Sequence, residues 1–302
     1  MKKLTFILIA AVAAIFTACS GEKSLDPNTP QPPQPPVETK IPINLSLGIT
    51  KVTENSFDNG DKVGLYVVNY SGATAGTLQT SGNHASNALY TYNSGWQASS
   101  QLYWKDETTH ADFYAYHPYS ATVSSISEYP FSLNANQSTE ANYKSGDFLW
   151  GKTSDVAPTA NAVNIQTKHL MSAAVITVAP GGGFSQESLN ASTISVKLNQ
   201  ALVDAKINLS TGAISATGTA KSITPLYKDG KYQAMIVPQT ISAENFITVT
   251  VDGVDYNLNK TFTFKTGVRH KFTVTVEKLS NGINVGITGW EDDEEDNGGT
   301  AQ

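Results

Sequence analysis

The chain has 302 residues, a formal net charge of −6 and 40% hydrophobic residues, which is length enough for two domains of ~100–200 residues each. Its one arginine, Arg269, and the absence of any basic cluster exclude a nucleic-acid partner, because phosphate neutralisation needs grouped Lys and Arg. Its one cysteine, Cys19, excludes an internal disulfide and a multi-cysteine metal centre.

Residues 1–18 carry Lys2 and Lys3, an apolar run over residues 4–16, and small residues at Thr17 and Ala18. That is the layout of a signal peptide, and the run is shorter than the ~20 residues of a bilayer span. Cys19, followed by Ser20 and Gly21, resembles the acylated first residue of a bacterial lipoprotein, although Phe16 stands where leucine is usual. Residues 19–40 are polar and hold Pro27, Pro30, Pro32, Pro33, Pro35 and Pro36. Such a stretch cannot bury a core and favours extended geometry, so it reads as a tether, with lipid on Cys19 as the membrane attachment.

From Ile41 the pattern changes to period two, which puts apolar side chains on one face of a strand. Ile43, Leu45, Leu47 and Ile49 alternate with polar or small residues. The pattern returns at Val63, Leu65 and Val67, at Phe113 and Ala115, at Ile194, Val196 and Leu198, and at Ile207 and Leu209. It closes with Phe272, Val274 and Val276, then Ile283, Val285 and Ile287. Turn signals separate these runs: Asp58-Asn59-Gly60, Ser94-Gly95, Thr211-Gly212, Asp229-Gly230, Asp252-Gly253 and Asn281-Gly282. Only residues 185–191 suggest a short helix. Many short strands with frequent turns predict an all-β chain of two antiparallel β-sandwich domains. The aromatic-rich first half gives way to a Val/Ile/Thr-rich second half over residues 154–161. The expected layout is an N-terminal sandwich over 41–157, a C-terminal sandwich over 158–290 and an acidic tail over 291–302.

Catalytic spacings are missing. No G-x-S-x-G, H-E-x-x-H, P-loop or G-x-G-x-x-G occurs, and the carboxylates are too scattered to nominate an acid and a nucleophile. His84, His110, His117, His169 and His270 lie far apart, so neither metal nor cofactor is expected. Tyr90, Tyr92, Trp96, Tyr103, Trp104, Phe113, Tyr114, Tyr116 and Tyr119 crowd the first half. Exposed, they would stack on sugars and make a lipid-tethered glycan-binding module; inward, they would fill a sandwich core.

Four segments taken in order resemble the fimbrillin family of Bacteroidales surface pilins. They are FDNGDKVGLY (57–66); Tyr103-Trp104-Lys105 with ADFYAYHPY (111–119); Asn136-Gln137 with GDFLWG (146–151); and His169-Leu170-Met171-Ser172. MIVPQ (235–239) and Trp290 also fit. The resemblance implies two transthyretin-like sandwiches, export as an outer-membrane lipoprotein, and a non-enzymatic role in a fimbrium at the cell surface. It implies that a protease removes the first strand and that a C-terminal strand of another subunit refills the groove. On this chain the displaced strand would be Ile43, Leu45, Leu47 and Ile49. The donor would be Phe272, Val274 and Val276, or Ile283, Val285 and Ile287. The cut would follow Lys51, where the family usually has arginine. Expected partners are other fimbrial subunits, the outer membrane through lipid, and a surface glycan or protein receptor.

Overall fold

Alternating apolar residues give nearly every segment one face to bury, and strands result. The computed structural model describes residues 40–49, 56–279 and 282–287. In chain order the first half contains β1 (Asn44–Ile49), β2 (Lys62–Asn69), β3 (Ala85–Tyr92), β4 (Trp96–Ala98), β5 (Ala111–His117), β6 (Tyr129–Ser132), α1 (Glu140–Lys144), β7 (Leu149–Val156) and β8 (Ala162–His169). The second contains β9 (Ser172–Pro180), α2 (Gln186–Ala191), β10 (Ile194–Asn208), β11 (Ala213–Ile223), β12 (Leu226–Lys228), β13 (Lys231–Ile236), β14 (Thr240–Val251), β15 (Val254–Thr263), β16 (Arg269–Leu279) and β17 (Gly282–Ile287).

Three sheets result. A seven-stranded sheet runs β1-β8-β7-β5-β2-β3-β4. One five-stranded sheet runs β11-β10-β14-β15 with β6 added against β10, and the other runs β12-β13-β9-β16-β17. The all-β expectation agrees with this; the purely antiparallel one does not. β1 lies parallel to β8, and β9 lies parallel to β16. In both cases an early strand returns to a late one, and the intervening sheet supplies the long crossover that parallel pairing requires.

The expected boundary at 157/158 falls between two paired strands. A boundary at 157/158 would part β7 from β8, which are antiparallel neighbours with Trp150 opposite Lys168. Sheet membership instead changes at Leu170-Met171, between β8 and β9. β6, from the first half, pairs with β10 through Tyr129↔Ile207 to Ser132↔Asp204.

Two apolar cores explain why the central strands read as they do. β2 sends Val63, Leu65 and Val67 into one core and Tyr66 and Val68 into the other. β5 divides likewise, Phe113 and Ala115 against Tyr114 and Tyr116. These strands are buried on both faces, so simple alternation captures half of their packing. The larger core joins both five-stranded sheets through Phe246, Phe264, Phe272 and Val274, and it takes in Tyr129, Phe148 and Trp150 from the first half.

Two of the turn signals form two-residue hairpins. Asp229-Gly230 links β12 to β13 and Asp252-Gly253 links β14 to β15, with φ of 51° and 75°, and of 48° and 84°. Positive φ at both central residues is the twist-matched hairpin geometry that Asp-Gly favours.

Candidate assembly edges and the clamps around them

β1 is an edge strand with an inward face. Its backbone pairs with β8 from Asn44↔Ala162 to Ile49↔Thr167. Just before it, the Ile43 amide donates to the Leu102 carbonyl (2.8 Å) and the Trp104 amide donates to the Ile41 carbonyl (2.9 Å). Ile43 and Leu45 are 1% and 7% exposed and sit against Val63, Leu65, Phe113, Val163 and Ile165. Leu47 is half-buried on the same core, and Ile49 is half-buried beside Phe57, Tyr143 and Leu149. The Thr167 hydroxyl donates to the Gly48 carbonyl (2.9 Å) and the Asn44 side-chain Nδ2 donates to the Ala160 carbonyl (3.0 Å). The Tyr90 hydroxyl reaches the Ile43 carbonyl at 3.4 Å, and burial pushes its pKa up to about 12, so it stays a donor at ordinary pH. Of the four sequence-predicted residues, Leu45, Leu47 and Ile49 lie on the edge strand β1, and Ile43 immediately precedes it.

At the other end of the chain the two candidate donors differ in kind. β16 is interior, paired with β9 on one side and β17 on the other, and its Phe272, Val274 and Val276 are buried. β17 closes its sheet; Ile283, Val285 and Ile287 lie on it, opposite Lys278, Val276 and Val274. Withdrawing β16 breaks two ladders, and withdrawing β17 breaks one. Cys19, Lys51, Trp290 and the acidic tail lie outside the described residues.

The aromatic cluster is mostly core. Tyr90, Trp104, Phe113, Tyr114 and Tyr116 are buried, Trp104 Nε1 donates to the Thr159 carbonyl (3.0 Å), and Trp96 packs edge-on to Phe57 at 4.8 Å. Only Tyr103 of the group is exposed, at 41%. The histidines make local contacts: His84 with the Tyr103 carbonyl, His110 with Asp155, His117 with the Lys62 carbonyl, His169 with Asp147 and His270 with the Lys265 amide. Among the described residues no three His, Cys, Asp or Glu gather as a metal-ligand set, and no helix is long and apolar enough to cross a membrane.

The polar residues of the four resembling segments prove to be clamps between distant stretches. Gln137, fully buried, accepts from the Met235 amide (2.7 Å) and donates to the Met235 carbonyl (2.9 Å). Gln239 does the same for Leu202, accepting from its amide and donating to its carbonyl, both at 2.8 Å. Asp147 meets His169 at 2.6 Å, and Ser172 donates to the Val268 carbonyl (2.9 Å). Asp112 accepts from Lys152, Tyr70 and the Asp155 amide. Burial resists its ionisation, but those donors outweigh burial and hold its pKa below the usual carboxylate value. The motif order in the sequence marked these residues; their pairing, across 22 residues for Asp147 and His169 and 98 for Gln137 and Met235, was invisible there. Trp150 Nε1 donates to the Leu209 carbonyl (2.7 Å), and the ring lies where a Cβ on Gly212 would fall, 2.5 Å away. Trp150→Phe removes that donor and is expected to cost about 0.5–1.5 kcal/mol in urea unfolding, with the amide of Gly212 exchanging faster.

Comparison with known proteins agrees with this arrangement. A family model described as fimbrillin-like matches residues 50–290. A Bacteroides uniformis protein named "Putative fimbrium subunit Fim1C" is 24% identical over 307 residues, covering 96% of each chain. Two crystal structures share the fold. One, of a Bacteroides uniformis protein described as a putative cell adhesion protein, is 19% identical with a TM-score of 0.61. The other, of a Bacteroides ovatus protein described in the same words, is 16% identical with a TM-score of 0.66. Each alignment covers 84% of this chain and 98% of the other. With its motif clamps in place and the match spanning residues 50–290, the chain belongs to the fimbrillin-like family.

Proposed function

We propose that this chain is a fimbrial subunit, exported as a lipoprotein acylated on Cys19, that assembles by strand exchange and contributes to adhesion at the outer-membrane surface. The observation that carries the reading is the form of residues 41–49: the edge strand β1 with Leu45 in the core and Ile43 buried just before it, joined to the sheet by one ladder and two further backbone bonds at Ile41 and Ile43. Cutting after Lys51 would free it. Its departure would uncover the wall of Val63, Leu65, Phe113, Val163 and Ile165. Refilling recovers about 1.5–3 kcal/mol for each fully buried side chain, plus a ladder. β17 is the donor of choice because it is a sheet-edge strand with alternating Ile283, Val285 and Ile287. The body is best read as two β-sandwich domains, with β6 lent by the first to the second. A fimbrillin-like family and the absence of catalytic spacing support a non-enzymatic role.

The test uses chain cut after Lys51, uncut chain, and a peptide of residues 280–290. The cut chain is expected to melt lower than the uncut one, to bind the peptide and to regain stability on binding; uncut chain should ignore the peptide. Equal binding to both forms, or to neither, refutes strand exchange.

A further inference from the structure

The chain has three methionines, Met1, Met171 and Met235. Two of them line one small cavity with a histidine. His169, the last residue of β8, places Nδ1 2.6 Å from an Asp147 carboxylate oxygen. A carboxylate only accepts, so Nδ1 carries the proton, and in the neutral imidazole the lone pair is on Nε2. Nε2 is buried and has no hydrogen-bond partner in the structure. His169 and Asp147 border a cavity of about 40 Å³ whose walls include Met171, Met235, Tyr143 and Arg269. That space exceeds the ~10–15 Å³ needed for one water-sized sphere, and it is too small for a sugar or a peptide.

A carboxylate bonded to one imidazole nitrogen, leaving the other nitrogen for the metal, is how metal-ligating histidines are oriented. Thioethers select soft ions, Cu(I) above all, over oxygen-seeking ones. The charges bordering the cavity, Asp147 and Arg269, cancel, which penalises a dication more than a monocation. The geometry points to a soft monovalent-metal site, for Cu(I) or its redox-inert analogue Ag(I), held by His169 Nε2 and the thioethers of Met171 and Met235. Asp147 is the positioning residue that holds the imidazole in the ligating tautomer. None of the site's ligands lies on β1 or β17, although Ile49 of β1 borders a neighbouring cavity that Tyr143, Asp147 and Met235 also line.

The test titrates Ag⁺ into full-length protein whose methionine methyls are ¹³C-labelled, in a Cys19→Ser background so that no thiol competes. The Met171 and Met235 signals are expected to shift together and saturate at one equivalent, while Met1, an internal control, stays put. Met235→Leu, a volume-conserving change, should weaken binding at least ~10-fold, and Asp147→Asn by roughly 10–100-fold. Cu(I) kept reduced with ascorbate should displace Ag⁺; Zn²⁺ should not. Three signals moving alike, none moving, or Met235→Leu binding as tightly as the parent would each overturn the site.

Discussion

Asp112→Ala is expected to destabilise the fold by about 3 kcal/mol, seen as a melting temperature lower by roughly 6–12 °C. Asp112 is 2% exposed and gathers Lys152 Nζ at 2.9 Å, the Tyr70 hydroxyl at 3.0 Å and the Asp155 amide at 2.9 Å. Alanine strands all three. Lys152 keeps about a third of its side-chain exposure, so water recovers part of the loss, and the estimate sits at the low end for a broken buried pair. The same residue sets an acid limit. Its folded pKa lies below the unfolded value, so its contribution is complete above the unfolded carboxylate pKa of about 3.9 and is lost as pH falls through the folded value. Unfolding free energy measured from pH 7 to pH 2 should therefore fall more steeply in the parent than in Asp112→Asn. Parallel slopes would show that another carboxylate governs acid unfolding.

Gln137→Leu is expected to cost about 3 kcal/mol, although leucine fills a similar volume. The loss comes from leaving the partly buried Met235 N–H and C=O without partners, at about 1–3 kcal/mol each. Gln137→Glu separates packing from bonding. At pH 7 the carboxylate would face the Met235 carbonyl at the position now held by Nε2, with no proton to give. Protonation restores the donor, so the folded pKa of the new side chain is raised and stability should improve as pH drops toward 5. Urea midpoints at pH 7 and pH 5 read this directly. A Gln137→Glu protein whose stability does not recover on acidification would mean that the clamp is not held by this pair of bonds.

How much the sequence disclosed depended on the range of the interaction. Period two over Ile43 to Ile49 located β1 (Asn44–Ile49), and Asp-Gly located the hairpins at Gly230 and Gly253, because both signals are local. Alternation alone does not place Tyr66, Tyr114 and Tyr116, which lie on the opposite strand faces from Leu65, Phe113 and Ala115. Burial behind a second core makes these residues interior as well, with Tyr66 pushed up to about 12. The parallel pairs and the transfer of β6 to β10 depend on partners far along the chain, and no local pattern encodes them. For the candidate site, the motif resemblance picked out Gln137, Asp147 and His169 one at a time, and only the fold showed which residue each one holds.

The pairing of β6 with β10 has a mechanical meaning. If β1 and β17 are the places where neighbours grip this chain, tension along a fibre enters at one and leaves at the other. Between them, the two halves are tied by the β6–β10 ladder, by Gln137 on Met235 and by Trp150 on Leu209. A simple linker would stretch under such a pull. Here the load must first break several hydrogen bonds and open a shared apolar core, so a subunit built this way yields as a single unit and keeps its length until it does.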